Sequence, residues 1–556
     1  MSRHLAFRRQ PVDPQMAQRH QAMSLPAPTR GMREDENLSF MQPGGAIVMD
    51  NWMPTLRSVK LRGGCTRWCD LHSLDDPVPP DGDPLRKPII SAFEYVSGFN
   101  YRMFAGQPTK LWDVTGNVPV IITDAQTSGN YSASQLSNAD DEWMIVVNDA
   151  GDEPLRFNGA TWAALPPTGA ASDGASTITG PGGIPRAKLV YVWKYRNRLF
   201  FIEQSSMNAW YLGIDAIGGE LNIIPLSGAA TKGGNLLFGA SWSIDAGDGI
   251  DDKCVFCTDQ GELLIFTGSN PGDPNNWRQE GRYQIPPPLG MNAHIAIGGD
   301  LLIATVDGII PTSQAITKSS AQLQLAAVTQ PINRTWREQV LEKREFHWSM
   351  EKWDEFGGLF VACPGSKPNH RVALAANSVS LAWCRITGWD VMCWIRMRGD
   401  MFFGTQDGIV MQADRSGYDD GRPYVATIVG GWGTFQNQAQ QAVWHQARAS
   451  FSSNNNEPFQ PQLAACTDFL VKIPPPPPVG EDPGRMDLWD QGLWDQALWD
   501  QAQPPAPPIR NTYWVSIGAT GYTHAPVVQV HVGQEVKPVV ELIAIDATFE
   551  RAGVNV

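Results

Sequence analysis

Eight cysteines are the first residues whose spacing could do chemistry: Cys254 and Cys257 form a C-x-x-C, and Cys65 and Cys69 a C-x-x-x-C. Four thiolates brought together could close a tetrahedral zinc site. The local pattern argues against it. Cys254-Val-Phe-Cys257 lies inside a β-like run, where residues three apart point to opposite faces and cannot ligate one ion. The cysteines are sparse and irregularly spaced, which fits a reducing compartment rather than a disulfide framework. Asp245, Asp248, Asp251 and Asp252 could offer oxygen ligands to Ca²⁺, but their spacing is not that of an EF-hand. A solvated Asp- and Gly-rich turn is the reading taken, and ion binding there stays open. No H-E-x-x-H, Gly-x-Ser-x-Gly or Walker loop occurs. The acidic pairs Asp140-Asp141 and Asp419-Asp420 sit in turn-like contexts. Glycoside hydrolysis needs two carboxyls facing each other about 5–10 Å apart, a relation that spacing cannot express. The sequence therefore assigns no catalytic, cofactor-binding or metal residue.

The elements that would position any site are β-like. The chain has 556 residues, with 53 Gly, 43 Pro and 21 Trp, so turns are many and long helices few. Only 18% of residues are charged, which argues against a disordered chain, and the formal net charge of −14 opposes affinity for nucleic acid. A degenerate repeat runs through the middle. Asp300-Leu-Leu-Ile-Ala-Thr305-Val-Asp307-Gly308-Ile309-Ile310 matches Asp400-Met-Phe-Phe-Gly-Thr405-Gln-Asp407-Gly408-Ile409-Val410. Lys253-Cys-Val-Phe-Cys-Thr258-Asp-Gln-Gly261-Glu-Leu263 has the same shape, and residues 143–151 are a looser copy. Each reads as a strand, a polar turn ending in Gly, and a second strand. Further strand pairs are expected at 99–111, 189–202 and 359–381, and one short charged helix at 335–345. Units at roughly 45–60 residue spacing are the scale of a four-stranded propeller blade. About six are expected, to within one, packed face to face by the Trp and Phe side chains.

After about residue 414 the texture changes to longer alternating strands over 423–472 and 512–548. An insertion at about 474–510 opens with five prolines at 474–478 and closes near Pro504–Pro508. Its centre repeats Leu-Trp-Asp-Gln three times, placing Trp489, Trp494 and Trp499 five residues apart. That period matches neither strand nor helix. The three tryptophans either dock on a neighbouring subunit or partner, since exposed Trp is costly unless covered, or fold back on their own domain. The N-terminal arm lacks the apolar core of a secretory signal, and no run approaches the roughly 18 apolar residues of a membrane span. A soluble protein made in a cytoplasm is expected. Because Ala46–Met49 is β-like, it needs an edge, and pairing with the C-terminal domain is expected.

Two propeller signatures are incomplete. Ser243-Ile-Asp245-Ala-Gly247-Asp248-Gly249 resembles the Asp-box turn of sialidase-type propellers, but occurs once and lacks the closing aromatic. Trp-Asp pairs at Trp112, Trp353 and Trp389 are irregularly spaced, and no Gly-His precedes them, unlike WD40 blades.

A third likeness covers residues 45–450 in patches, in order. Ala46-Ile-Val-Met-Asp50-Asn51-Trp52-Met-Pro54 with Arg57, Lys60 and Arg62-Gly63-Gly64 comes first. Lys194-Tyr-Arg196-Asn197-Arg198-Leu-Phe200-Phe201 follows, with Ser206-Met207-Asn-Ala209-Trp210-Tyr211-Leu212. Then come Ile285-Pro-Pro-Pro-Leu289-Gly290, Gly431-Trp432-Gly433-Thr434 and Arg448-Ala-Ser-Phe451. Together these resemble the nozzle, or tail tubular B-type, proteins of short-tailed bacteriophages. The resemblance implies an all-β fold, a β-propeller with a platform-like β domain, joined into a ring, a homohexamer, below the tail adaptor. It implies a gated central channel for genome DNA, contacts with tail fibres or spikes, meeting of the host envelope at infection, residence in the virion, no enzymatic activity and no cofactor. The expected domains are an arm at 1–60, a propeller at 61–415 and a platform at 416–556. The Pro- and Trp-rich insertion lies outside the likeness.

Two other classes stay open. A virion-associated glycan-binding or glycan-cleaving propeller would carry a carboxylate cluster in an axial pocket. A cytoplasmic propeller scaffold would be a monomer with one exposed binding face.

Overall fold

The computed structural model describes residues 20–71, 86–139, 141–165, 178–179, 188–243, 252–365, 372–435, 440–453, 461–479 and 510–551. They form two compact units: Gly63–Arg422, and Met1–Arg62 with Pro423–Val556. The fold is all-β. Among the described residues the helices are short, and none is long and apolar enough to cross a membrane.

Among the described residues the Gly63–Arg422 unit is a β-propeller of seven antiparallel blades, at the upper edge of the expected count. In chain order the blades span 91–123, 131–164, 189–225, 236–284, 294–311, 349–387 and 393–416. The seventh is completed by Gly64–Asp70, which pairs antiparallel with Ile409–Ser416. The ring is thus closed by a strand from the beginning of the unit hydrogen-bonded to one from its end. Arg86 ties that strand down, with Nη1 and Nη2 at 2.9 and 3.0 Å from the two Asp70 carboxylate oxygens and Nη1 also donating to Asp407 O. The fifth blade has three strands, followed by helices at Thr312–Ala315, Ser320–Ala326 and Asn333–Lys343. The last of these is the helix expected at 335–345, shifted by two residues.

The repeat maps onto one place in four blades, where the second strand turns into the third. Asp300–Thr305 pairs with Gly308–Pro311, Asp400–Gly404 with Ile409–Ser416, Lys253–Thr258 with Glu262–Thr267 and Glu142–Asn148 with Leu155–Phe157. The residue at the end of the second strand is buried and polar because its side chain locks the turn. Thr305 Oγ1 donates to Gly308 O, Thr405 Oγ1 accepts from Ile409 N, and Thr258 Oγ1 accepts from Glu262 N. Asn148 Oδ1 accepts from Asp152 N in the looser copy. Blade seams are aromatic: Phe104 meets Phe157 at 5.3 Å, Trp193 meets Phe256 at 5.6 Å, and Phe360 meets Trp394 at 5.5 Å between ring centroids. Gly239 makes one seam possible, since a Cβ there would sit 2.3 Å from the Trp193 ring.

The second unit contains two sheets. One is built around Val540–Arg551 and Ala442–Ser453, whose inward and outward residues alternate along the strand. The other runs Ala46–Asp50, Tyr424–Gly430, His524–Val532, Gln462–Thr467. Both chain ends contribute. His20–Pro26 pairs along Val540–Arg551 from His20↔Glu550 to Pro26↔Ala544, and Ala46–Asp50 finds its edge on Tyr424–Gly430. Buried Arg62 stacks 4.0 Å from the Tyr424 ring while its Nε donates to Asn51 Oδ1.

Replacing Thr405 with Val keeps the shape but leaves the buried Ile409 N–H without its side-chain acceptor, a loss of roughly 1–3 kcal/mol. We expect Thr405→Val to lower the urea midpoint and Thr405→Ser to retain most of it. Equal midpoints for both would contradict the turn-lock role.

Candidate functional site: the axial cavity and an exposed apolar strip

The first strand of each blade faces the propeller axis. These are Ser91–Ser97, Tyr131–Ser137, Leu189–Tyr195, Leu236–Trp242, His294–Ile297, Ser349–Trp353 and Cys393–Met397. They lie side by side around the ring, the fourth and fifth joined by Phe238 stacked on His294 at 4.2 Å. Between them sits a cavity of about 240 Å³, to which Phe93, Tyr131, Tyr191, His294, Ser349, Glu351 and Trp394 contribute among others.

One wall is a hydrogen-bond network. Asn130 Nδ2 lies 2.9 Å from both Asp149 Oδ2 and His347 Nδ1, and Asn292 Nδ2 donates to Asn130 Oδ1 and Tyr131 O. Burial pushes His347 down, opposed by the Asp149 charge. His294 Nε2 sits 3.3 Å from the Tyr191 hydroxyl, and burial lowers its pKa to about 4, so it is neutral at pH 7. The other wall carries Glu351. Burial pushes its carboxyl up to about 7 despite the Arg396 charge and the Lys352 N–H, while Glu94 and Asp354 push it further. Arg396 is shared, at 3.5 Å from Glu94 Oε1 and 3.4 Å from Asp354 Oδ2.

Glu351 is the single carboxylate among the lining residues. A glycosidase pair needs a second one facing it across the substrate. What the cavity offers is a largely polar surface, plus one acid whose pKa burial raises to about 7.

The cysteines go elsewhere. Cys254 and Cys257 lie within Lys253–Thr258, buried and free, and burial raises both thiols well above their usual range. Cys65 and Cys69 sit on the ring-closing strand in the seventh blade, not the fourth. Among the described residues no group of three or more His, Cys, Asp or Glu side chains is arranged to hold a metal ion. Asp245, Asp248 and Asp251 lie outside those residues, as do Trp489, Trp494 and Trp499.

The second unit carries a different feature. Strand Val515–Gly521 pairs with Ala442–Ser453 on one side and is largely exposed. Tyr513 (77% exposed), Trp514 and Val515 lie at one end of it. At the other, Tyr522 is held by its N–H on Asp468 Oδ1, beside exposed Phe469, Leu470 (56%), Val471 and Ile473. These exposed stretches flank the Pro- and Trp-rich insertion on both sides. Sequence reasoning singled out neither the axial residues nor these exposed stretches, only the insertion between them.

No family model and no curated protein matches the chain. Solved structures with detectable similarity include YCF48 from Cyanidioschyzon merolae, at 11% identity and TM-score 0.31, covering 61% of this chain and 98% of that one. PorZ of Porphyromonas gingivalis, a surface component of the type-IX secretion system, aligns at 10% identity and TM-score 0.34, covering 64% and 43%. The computationally designed Ika8 protein aligns at 8% and 0.33, covering 69% and 100%. Likenesses at these scores assign no activity or partner to this chain.

Glu351 makes a testable contribution to stability. Its ordinary pKa is 4.5, and below that value folded and unfolded chains are both protonated there. Between 4.5 and about 7 the unfolded chain ionises while the folded one holds its proton, so stability falls; above about 7 the penalty is constant. We expect Glu351→Gln to match the parent near pH 4 and to be more stable at pH 8, by on the order of 1–2 kcal/mol after discounting its partial exposure. Thermal denaturation at the two pH values checks this, and a loss of stability at pH 8 would contradict it.

Proposed function

We propose that this chain is a non-enzymatic structural subunit that assembles with copies of itself into a ring, the nozzle at the distal end of a short phage tail. The observation that carries the reading is the exposed apolar strip on the second unit. Large contiguous apolar surface is rare on monomers and marks association, and obligate interfaces are rich in aromatics and poor in charge. Tyr513 and Trp514 at one end of the strand Val515–Gly521, and Phe469 and Leu470 beside its other end, are exposed apolar side chains of the kind such interfaces bury. The ordered likeness of residues 45–450 to nozzle proteins supports the finer identity. So does the net charge of −14, which suits a conduit through which DNA slides without sticking.

In this reading the ring is a homohexamer below the tail adaptor. Its channel gates genome ejection, and it holds the tail fibres or spikes that meet the host envelope. The protein is made in the host cytoplasm and resides in the virion. Apolar side chains seed the subunit contact, and no chemistry is required of any residue.

Light scattering on the purified chain, alone and with the tail adaptor, tests this. We expect a ring of about six copies, and a shift to single chains in the double variant Tyr513→Asp, Leu470→Asp. Single chains of the parent protein under both conditions would overturn the reading.

A further inference from the structure

We propose that a groove beside the fifth blade receives the Leu-Trp-Asp-Gln motif, donated by the insertion of a second copy of the chain. That the donor is a second copy rests on the self-assembly proposed above; that the groove takes the motif does not.

The groove has a volume of about 590 Å³ and lies between the helix Asn333–Lys343 and two connections. Arg337, Val340, Leu341 and Arg344 form its helical wall. Their spacing of i, i+3, i+4 and i+7 puts them on one face. Opposite are Pro287, Pro288 and Leu289, which join the fourth blade to the fifth, with Val306 from the turn after Thr305. The two walls are tied together. Trp336, fully buried in the helix, donates its indole N–H to Thr305 O. Val306 N donates to Pro287 O, and Leu289 N to Ala304 O. Little ordering is therefore left for binding to bring about.

The chemistry of the groove is apolar at its centre and cationic at its ends. Leu341 is 82% exposed. A solitary exposed leucine needs no explanation, but this one adjoins Val340 and the prolines in one concave apolar surface. Arg337 lies one turn before Leu341 and Arg344 about one turn after it. Among the described residues neither guanidinium has an ion-pair partner. Asp307 and Glu345 line the same groove without pairing with them.

The matching ligand has a large apolar side chain with a carboxylate beside it. The insertion offers that combination three times, as Leu488-Trp489-Asp490, Leu493-Trp494-Asp495 and Leu498-Trp499-Asp500, with no Lys or Arg among them. The volume falls within the roughly 300–1,000 Å³ of sites for drug-sized ligands and has room for adjoining Leu and Trp side chains. The Trp lies against the prolines and Leu341, and the Asp meets Arg337 or Arg344. Each chain carries this groove once and the motif three times, so motifs remain for other copies whatever its own groove holds.

A fluorescent peptide of residues 487–501 is titrated, by anisotropy, into the full chain carrying Trp489→Ala, Trp494→Ala and Trp499→Ala, whose own motifs cannot compete. The peptide is expected to bind. Leu341→Glu in that chain is expected to weaken binding about tenfold. A peptide with Asp490→Asn, Asp495→Asn and Asp500→Asn is expected to bind about two- to fivefold more weakly, the worth of an exposed ion pair. Circular dichroism confirms the fold of each variant, and Arg337→Glu replaces Leu341→Glu if that chain does not fold. No binding, or equal binding by a folded groove variant or by the Asn peptide, overturns the proposal. The donor is tested by mixing a tagged Leu341→Glu chain, its insertion intact, with the untagged triple-Ala chain. Both also carry Tyr513→Asp and Leu470→Asp, which removes the contact proposed for the exposed strip. The tagged chain is expected to capture the untagged one, and to lose it when both carry Leu341→Glu. Peptide binding without capture would overturn the second-copy donor. The titration reads the groove whatever the mass of the parent chain, so failure of the ring reading and failure of this one are told apart.

Discussion

Ring closure is the constraint on which the rest of the propeller depends. A four-stranded sheet has two apolar faces and cannot bury both by itself, but a closed circle of sheets buries every face against a neighbour. The circle is completed by the hydrogen bonds between Gly64–Asp70 and Ile409–Ser416. The paired strands lie at opposite ends of the unit, so a long loop must be closed before the contact is rewarded. Two ion pairs hold the joining strand: Arg86 with Asp70, almost fully buried, and Arg67 with Asp420 at 2.8 Å. With closure, the first strands of all seven blades converge and the axial cavity exists. Without it the cavity would not be enclosed.

Tryptophan is the material of this architecture. Most described tryptophans put their rings in the core, and several spend their indole N–H on a carbonyl that fixes a loop or turn. Trp336 donates to Thr305 O, Trp348 to Lys343 O, Trp353 to Gly399 O and Trp383 to Val328 O. Trp389 instead donates to the buried Asp419 carboxylate. Side chains that combine a large apolar body with one polar handle suit seams between short strands and irregular connections. Trp394 seals a seam with Phe360 through its ring.

The fold was legible because its signal is local. The strand–turn–Gly–strand pattern around Thr258, Thr305 and Thr405 lies within a dozen residues each time, and a single hydrogen bond explains the recurring hydroxyl. The β character of Ala46–Asp50 required an edge, and it has one on Tyr424–Gly430. The cavity was illegible for the opposite reason. Tyr131, His294, Ser349, Glu351 and Trp394 come from four blades and share no motif; only closure of the ring brings them together. Cys65-x-x-x-Cys69 drew attention as chemistry, yet its strand serves to close that ring. Exposure is likewise a property of packing, so Tyr513 and Leu470 were unremarked among the many apolar residues of the sequence.

The central functional claim is that the strip around Tyr513 and Leu470 is a contact between copies of the chain. Hydroxyl-radical footprinting across a dilution series examines it most directly. Phe99, at the tip of a hairpin in the first blade and 97% exposed, serves as the comparison. The account predicts that Tyr513, Trp514, Phe469 and Leu470 are labelled at low concentration and protected as the oligomer forms, while Phe99 stays labelled throughout. Unchanged labelling of the strip at every concentration, or protection confined to residues elsewhere, would contradict it.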